Sequence, residues 1–234
     1  MGAAMPEAQN LGAVRHYYSV LRDTGKNLLS VYGIWERGGA YNDSVTPSTY
    51  CSQYRAHITE TIKSLIPTGK VVFSVGCGNG FVEGDLVKDG FAVRAIDCNS
   101  EAVELSRKKG VDAREVDFFA LEPNSLGDVD LVYADGFIGH LFRMDSGLAR
   151  VFEKLQSLKL RSGTWVVLSN DAPRDPLALF APHEKLADFW FISRSYLESQ
   201  LQRAGFSNTK SHYFSYERPL SGLRDRTICL AQIP

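Results

Sequence analysis

Cysteine is scarce in this chain of 234 residues: the four thiols, Cys51, Cys77, Cys98 and Cys229, include no Cys-x-x-Cys pair. That spacing supports neither a zinc site nor a disulfide framework, and reduced thiols with no bound metal are the expectation. Long apolar runs are missing as well. No stretch approaches the ~20 residues of a transmembrane helix. The first ten residues, MGAAMPEAQN, lack the basic and apolar regions of a signal peptide. They read as a disordered start, or as a scar ahead of a native start at Met5, and a cytoplasmic protein with no membrane partner is expected. Charge of one sign is absent too: 26 Lys and Arg balance 27 Asp and Glu, a net charge of -1, with no basic arm. Nucleic acid is therefore not expected as a partner, since its binding needs a clustered positive face. At 44% hydrophobic and 23% charged residues the collagen-like and disordered classes drop out. The length suits one large domain, or one domain with an appendage.

What is present changes character along the chain. Residues 11–68 read as a helical cap rich in aromatics, among them Tyr17, Tyr18, Tyr32, Trp35, Tyr41, Tyr50 and Tyr54, interrupted by the turn-prone run from Gly38 to Asp43. From Gly69 short apolar runs alternate with amphipathic segments. Strands are expected at Lys70 to Val75, Phe91 to Asp97, Val111 to Val116, Val129 to Ala134 and Thr164 to Ser169. Helices are expected around Asp85 to Lys88, from an Asn99 or Ser100 cap through Lys109, and over Ser146 to Leu158. This alternation implies parallel βαβ units. A helix from Arg194 to Ala204 and two strands, Lys210 to Tyr216 and Arg226 to Ile233, suit a closing antiparallel pair. The fold class is α/β: a Rossmann-like, doubly wound, mainly parallel seven-stranded sheet over 69–234.

The strongest local signal is Val71-Val72-Phe73-Ser74-Val75-Gly76-Cys77-Gly78-Asn79-Gly80. A strand running into alternate glycines lets backbone N–H groups approach a ligand, because no Cβ intervenes and glycine tolerates positive φ. A dinucleotide fingerprint would need its third glycine where Phe81 stands.

The G-x-G-x-G spacing resembles motif I of the class I S-adenosylmethionine (SAM) dependent methyltransferases. Asp97 ends the second strand and Asp117-Phe118 follows the third, where that family binds the ribose hydroxyls and the adenine. The segment from Asp130 to Leu141 resembles the fourth-strand motif of its small-molecule members, and Tyr32-Gly33-Ile34-Trp35 is similar to their SAM-capping aromatic segment. The resemblance implies SAM as cofactor and a small-molecule acceptor, with secondary metabolism as the expected setting. It implies cofactor contacts at Ser74, Gly76, Gly78, Gly80, Asp97, Cys98, Asp117, Phe118, Ala134 and Asp135, with His140 and Tyr32 as catalytic candidates. Alternatives stay open at each: either Asp also suits a turn cap, His140 suits helix packing, and most of the aromatics suit a core. Asn170-Asp171-Ala172-Pro173 after the fifth strand suits either a cleft wall or a turn. The Asn-Pro-Pro-Tyr signature of nucleic-acid amino methyltransferases is missing.

One departure matters. The family usually carries an acid two positions before the first glycine, to hold the ammonium of SAM, and here that position is Ser74. Without a carboxylate partner the amine's pKa falls, leaving a nucleophile beside the sulfonium. A SAM-cyclising enzyme of the azetidine-2-carboxylate synthase type, releasing methylthioadenosine, is therefore the alternative to methyl transfer. A catalytically silent SAM or nucleoside binder is the third reading.

Overall fold

The computed structural model describes residues 11–41 and 46–234. The expected disordered start and the turn residues Asn42 and Asp43 lie outside the described residues. Helix α1 (Leu11–Ser19) is followed by a ribbon of β1 (Arg22–Asp23) and β2 (Leu28–Leu29), then α2 (Val31–Glu36). Ser30 caps α2 by accepting from Gly33 N at 2.9 Å. The same hydroxyl donates to Glu101 at 2.7 Å, which ties this segment to the domain beneath it.

Helix α3 (Ser52–Leu65) buries Tyr54, Ile58 and Ile62 at helical spacing. These side chains pack on Val72, Leu131 and Val167 of the central sheet. The cap is thus narrower than the expected 11–68, because α3 belongs to the helical layer of the sheet. The rest alternates: β3 (Val71–Val75), α4 (Phe81–Lys88), β4 (Ala92–Asp97), α5 (Ser100–Arg107), β5 (Asp112–Glu115), β6 (Leu131–Asp135), α6 (Ala149–Ser157) and β7 (Trp165–Asp171). A small hairpin of β8 (Phe180–Pro182) and β9 (Trp190–Ile192) comes next, then α7 (Arg194–Arg203), β10 (Ser207–Arg218) and β11 (Gly222–Gln232).

Seven strands form one sheet in the order β10-β11-β7-β6-β3-β4-β5. Strands β7, β6, β3, β4 and β5 pair in parallel, and β11 pairs antiparallel with β7 and with β10, as the sequence pattern requires. Alternate residues of each central strand feed opposite cores. Phe73, Val132 and Val166 pack with Val151, Phe152 and Leu155 of α6 and Leu197 and Leu201 of α7. Val72, Leu131 and Val167 face α3 and the Val82 and Leu86 side of α4. Burial on both faces is why these strands read as continuous apolar runs. The strand order reverses between β3 and β6, which opens a crevice beyond the carboxyl ends of those strands.

Candidate active site

The crevice spans about 1110 Å³ with its mouth included. Its floor begins at the glycine turn after β3. Gly76 and Cys77 donate their N–H groups to Ile96 O at 2.8 and 3.1 Å, which docks the turn on β4. Gly76, Gly78 and Gly80 all have positive φ, yet they differ in surroundings. A Cβ on Gly76 would lie 2.8 Å from the Phe137 ring, and one on Gly80 would strike Ser106. One on Gly78 would meet only Tyr32 Cε1 at 3.9 Å, so Gly78 is the glycine whose open face borders the crevice.

Asp97 closes β4 beside this turn. Its two carboxylate oxygens accept from Gly78 N at 3.0 Å and Asn99 N at 2.9 Å. Burial outweighs these bonds and raises its pKa to about 6. Asp117 likewise caps the short turn after it, accepting from Phe119 N at 3.0 Å. Phe118 is buried there edge-on to Phe137, ring centroids 5.3 Å apart. Asp97, Cys98, Asp117 and Phe118 all line the crevice, and the two acids cap their turns from there.

The cap forms the roof. Tyr18 stacks on Tyr32 at 5.2 Å, and both rings meet Trp35 edge-on. The Tyr18 hydroxyl reaches across to His140 Nε2 at 2.8 Å. His140 sits on the turn after β6, and Asn170 fixes that turn by accepting from Gly139 N at 3.1 Å. Burial lowers the His140 pKa to about 4, so the imidazole is neutral at pH 7, and its Nδ1 is buried without a partner. The Tyr32 phenol moves the other way: burial and the nearby Asp97 raise its pKa well above the usual tyrosine range.

The expectation for Ser74 needs correction. Its side chain does not line the crevice but donates to Glu83 Oε1 at 2.6 Å. Glu83, in the first turn of α4, does line it, where the positive end of the helix favours a carboxylate. Burial raises its pKa to about 7 against the Ser74 bond that lowers it. A buried carboxylate thus stands beside Ser74, contributed by the helix rather than the strand. Ala134 is also corrected: on the face opposite Tyr133 it packs into the core among Val132, Ile138 and Leu168.

The far end of the crevice holds an ionic cluster. Asp171 accepts from Tyr216 Oη at 2.5 Å, pairs with Arg226 at 2.9 Å and also binds Arg218. The two arginines overcome its burial and hold its pKa down to about 2. Asp135 takes bonds from Arg226, from Tyr54 at 3.0 Å and from Thr46 at 3.2 Å. Asp171 fulfils the cleft-wall option for its segment. Arg218 and Arg226 were not singled out from the sequence; alternate arginines on strands expected to pack on the core were the available signal.

The comparisons bear on this geometry. Residues 73–159 match the family model described as a methyltransferase domain. Over 226 residues the chain is 56% identical to a tabtoxin biosynthesis enzyme of Pseudomonas amygdali pv. tabaci, covering 97% of this chain and 90% of that protein. The chain belongs to the family of that enzyme, and its residues 73–159 carry a methyltransferase domain. Its fold is that of magnesium protoporphyrin IX methyltransferase from Synechocystis PCC 6803 with bound SAM, at a TM-score of 0.61 and 18% identity over 100% of both chains. It is also that of the 1,6-didemethyltoxoflavin-N1-methyltransferase of Burkholderia thailandensis, at 0.58 and 20% identity over 76% of this chain and 77% of that one.

SAM is the cofactor that a methyltransferase domain implies. The crevice suits it on three counts: the open face at Gly78, the two acids at successive strand ends, and the polar atoms Tyr133 Oη and Asn79 Oδ1 of its lining, which are buried without a hydrogen-bond partner among the described residues.

Proposed function

We propose that the chain moves the methyl group of SAM to a small acceptor of secondary metabolism, held between the glycine turn and the aromatic roof. The observation that carries this reading is the 2.8 Å contact between Tyr18 and His140, which joins the cap to the turn after β6. A roof joined to the sheet domain in this way narrows the access of water to the crevice. The relative named as a tabtoxin biosynthesis enzyme supports the assignment to secondary metabolism.

Bound SAM supplies an electrophilic methyl carbon on a sulfonium. In our reading Asp97 receives the ribose hydroxyls, Asp117 and Phe118 the adenine, and Glu83 the ammonium. Tyr32 and Tyr18 offer ring faces to the positive sulfur, an interaction of ~0.5 to 2 kcal/mol per cation. The chain's main contribution is alignment of acceptor, methyl and sulfur. His140 is the candidate base. With its proton on Nε2 and donated to Tyr18, Nδ1 is free to accept a hydrogen bond from an acceptor amine or hydroxyl and to orient its lone pair.

A second reading rests on Glu83. A carboxylate with a pKa of about 7 can take a proton from the SAM ammonium. The freed amine would then form a bond to the γ-carbon as the bond from that carbon to sulfur breaks. The electron pair stays on sulfur, leaving methylthioadenosine and azetidine-2-carboxylate. Mass spectrometry of products separates the two readings. Methyl transfer predicts that SAM persists alone and yields S-adenosylhomocysteine once an acceptor is added. Methylthioadenosine formed from SAM alone, with no acceptor, would overturn it in favour of cyclisation.

A further inference from the structure

Tyr133 lines the crevice with a hydroxyl that has nothing to bond. The residue is 1% exposed, and its Oη is buried without a hydrogen-bond partner among the described residues. Strand register puts it there. Tyr133 on β6 stands opposite Ser74 on β3, and Asp135 follows two positions on, so the three side chains leave the sheet on one face. On that face Ser74 donates to Glu83, which also lines the crevice. Tyr54, reaching in from α3, is a phenol with its bonds made: it donates to Asp135 at 3.0 Å and bonds Ser169 at 2.6 Å. Tyr133 has no equivalent.

A buried hydroxyl left unbonded is unfavourable, and phenylalanine would keep the packing of the ring without that cost. In a ligand crevice the missing partner is a polar group of the ligand. The surroundings select which group. Burial, then Asp135, Tyr54 and Glu83, push the Tyr133 pKa well above the usual tyrosine range, with Arg226 opposing them. The phenol therefore keeps its proton, and the acids around it favour a cation. We propose that Tyr133 is a further cofactor-binding residue, whose Oη accepts an N–H of the SAM ammonium while Glu83 holds the same group from the helix. The inference rests on the reading above that the crevice binds SAM with its ammonium at Glu83. An ammonium carries three N–H donors, so it can serve a phenol as well as a carboxylate. The crevice then recognises its ligand at this end by the free amine, through one strand residue and one helix residue.

The test is calorimetric titration of the full chain and of Tyr133→Phe at pH 8 with four ligands. These are S-adenosylhomocysteine, its analogue with hydrogen in place of the amino group, its analogue with hydrogen in place of the carboxylate, and methylthioadenosine, which lacks the amino-acid end. The unaltered protein should bind S-adenosylhomocysteine about tenfold or more tightly than the analogue without the amine. Tyr133→Phe should lose about tenfold or more in affinity for the two ligands that keep the amine, and about twofold or less for the two that lack it. The Tm of the ligand-free variant should hold or rise, because only an unbonded oxygen has gone. Equal losses for S-adenosylhomocysteine and methylthioadenosine would make the hydroxyl a support for the crevice and overturn the proposal. A loss that follows the carboxylate rather than the amine would overturn it as well. Failure of Tyr133→Phe to fold would count against it, since the ring is kept and the hydroxyl would then be serving the fold. If the unaltered protein binds neither S-adenosylhomocysteine nor methylthioadenosine, the cofactor reading falls and this proposal with it. If it binds both and Tyr133→Phe binds them unchanged, this proposal alone falls.

Discussion

At the residue scale the decisive feature is Glu83, an acid relocated from strand to helix. Its bond from Ser74 and its place in the first turn of α4 stabilise the carboxylate, while burial opposes it and wins. Because the folded pKa of about 7 lies above the ordinary glutamate value, the ligand-free site is partly protonated near neutrality. A cationic amine selects the ionised form, so binding of S-adenosylhomocysteine must release the proton. Affinity should rise by up to about tenfold from pH 6 to pH 8 and level off above the folded pKa. Glu83→Gln should weaken binding and flatten that dependence, as calorimetry at several pH values would register. A dependence unchanged in the variant would assign it to another group. The glycines make a sharper contrast. Gly78→Val should abolish cofactor binding with a smaller loss of Tm than Gly80→Val, since its Cβ would meet only Tyr32 Cε1 at 3.9 Å and the cost is the strain of a branched side chain at a φ of +50. Gly80→Val should lower Tm severely, because the side chain meets Ser106.

At the scale of elements, the cap is a separate packing unit. Tyr18, Val31, Tyr32 and Trp35 form their own cluster, resting on Ala102 of α5. Its links to the sheet domain include Ser30 to Glu101 and Tyr18 to His140. Removing the chain through Arg37 should therefore reduce turnover far more than thermal stability, and the larger cores would keep the sheet folded. A truncated protein with full activity would remove the roof from the mechanism. The element boundaries show how legible the fold was. The parallel strands announced themselves because burial on both faces leaves unbroken apolar runs such as Val71 to Val75. Helix α3 was assigned to the cap because its aromatic and polar composition resembles the preceding segment, while its packing on the sheet is a long-range fact. The hairpin of β8 and β9 went unread: Pro173, Pro176 and Pro182 mark the segment as turns, and its strands are only three residues each.

At the scale of the molecule, the site is assembled by topology. The glycine turn and the acids after β4 and β5 follow one another in sequence, so a local pattern exposed them. Glu83 was missed because a helix turn, invisible in a strand-based motif, brings it under Ser74. Arg218 and Arg226 lie far along the chain and reach the crevice because β10 and β11 close the sheet beside β7. No helix among the described residues is long and apolar enough to cross a membrane. The central claim is that this crevice holds SAM with its ribose at Asp97. Calorimetric titration of S-adenosylhomocysteine into the unaltered protein and into Asp97→Ala and Asp97→Asn tests it most directly. Loss of the acceptor should weaken binding by ~2 to 4 kcal/mol in Asp97→Ala, with a smaller loss in Asp97→Asn, which keeps one oxygen. Unchanged affinity in both variants beside a lowered Tm would contradict the claim and leave Asp97 as a cap for Gly78 and Asn99.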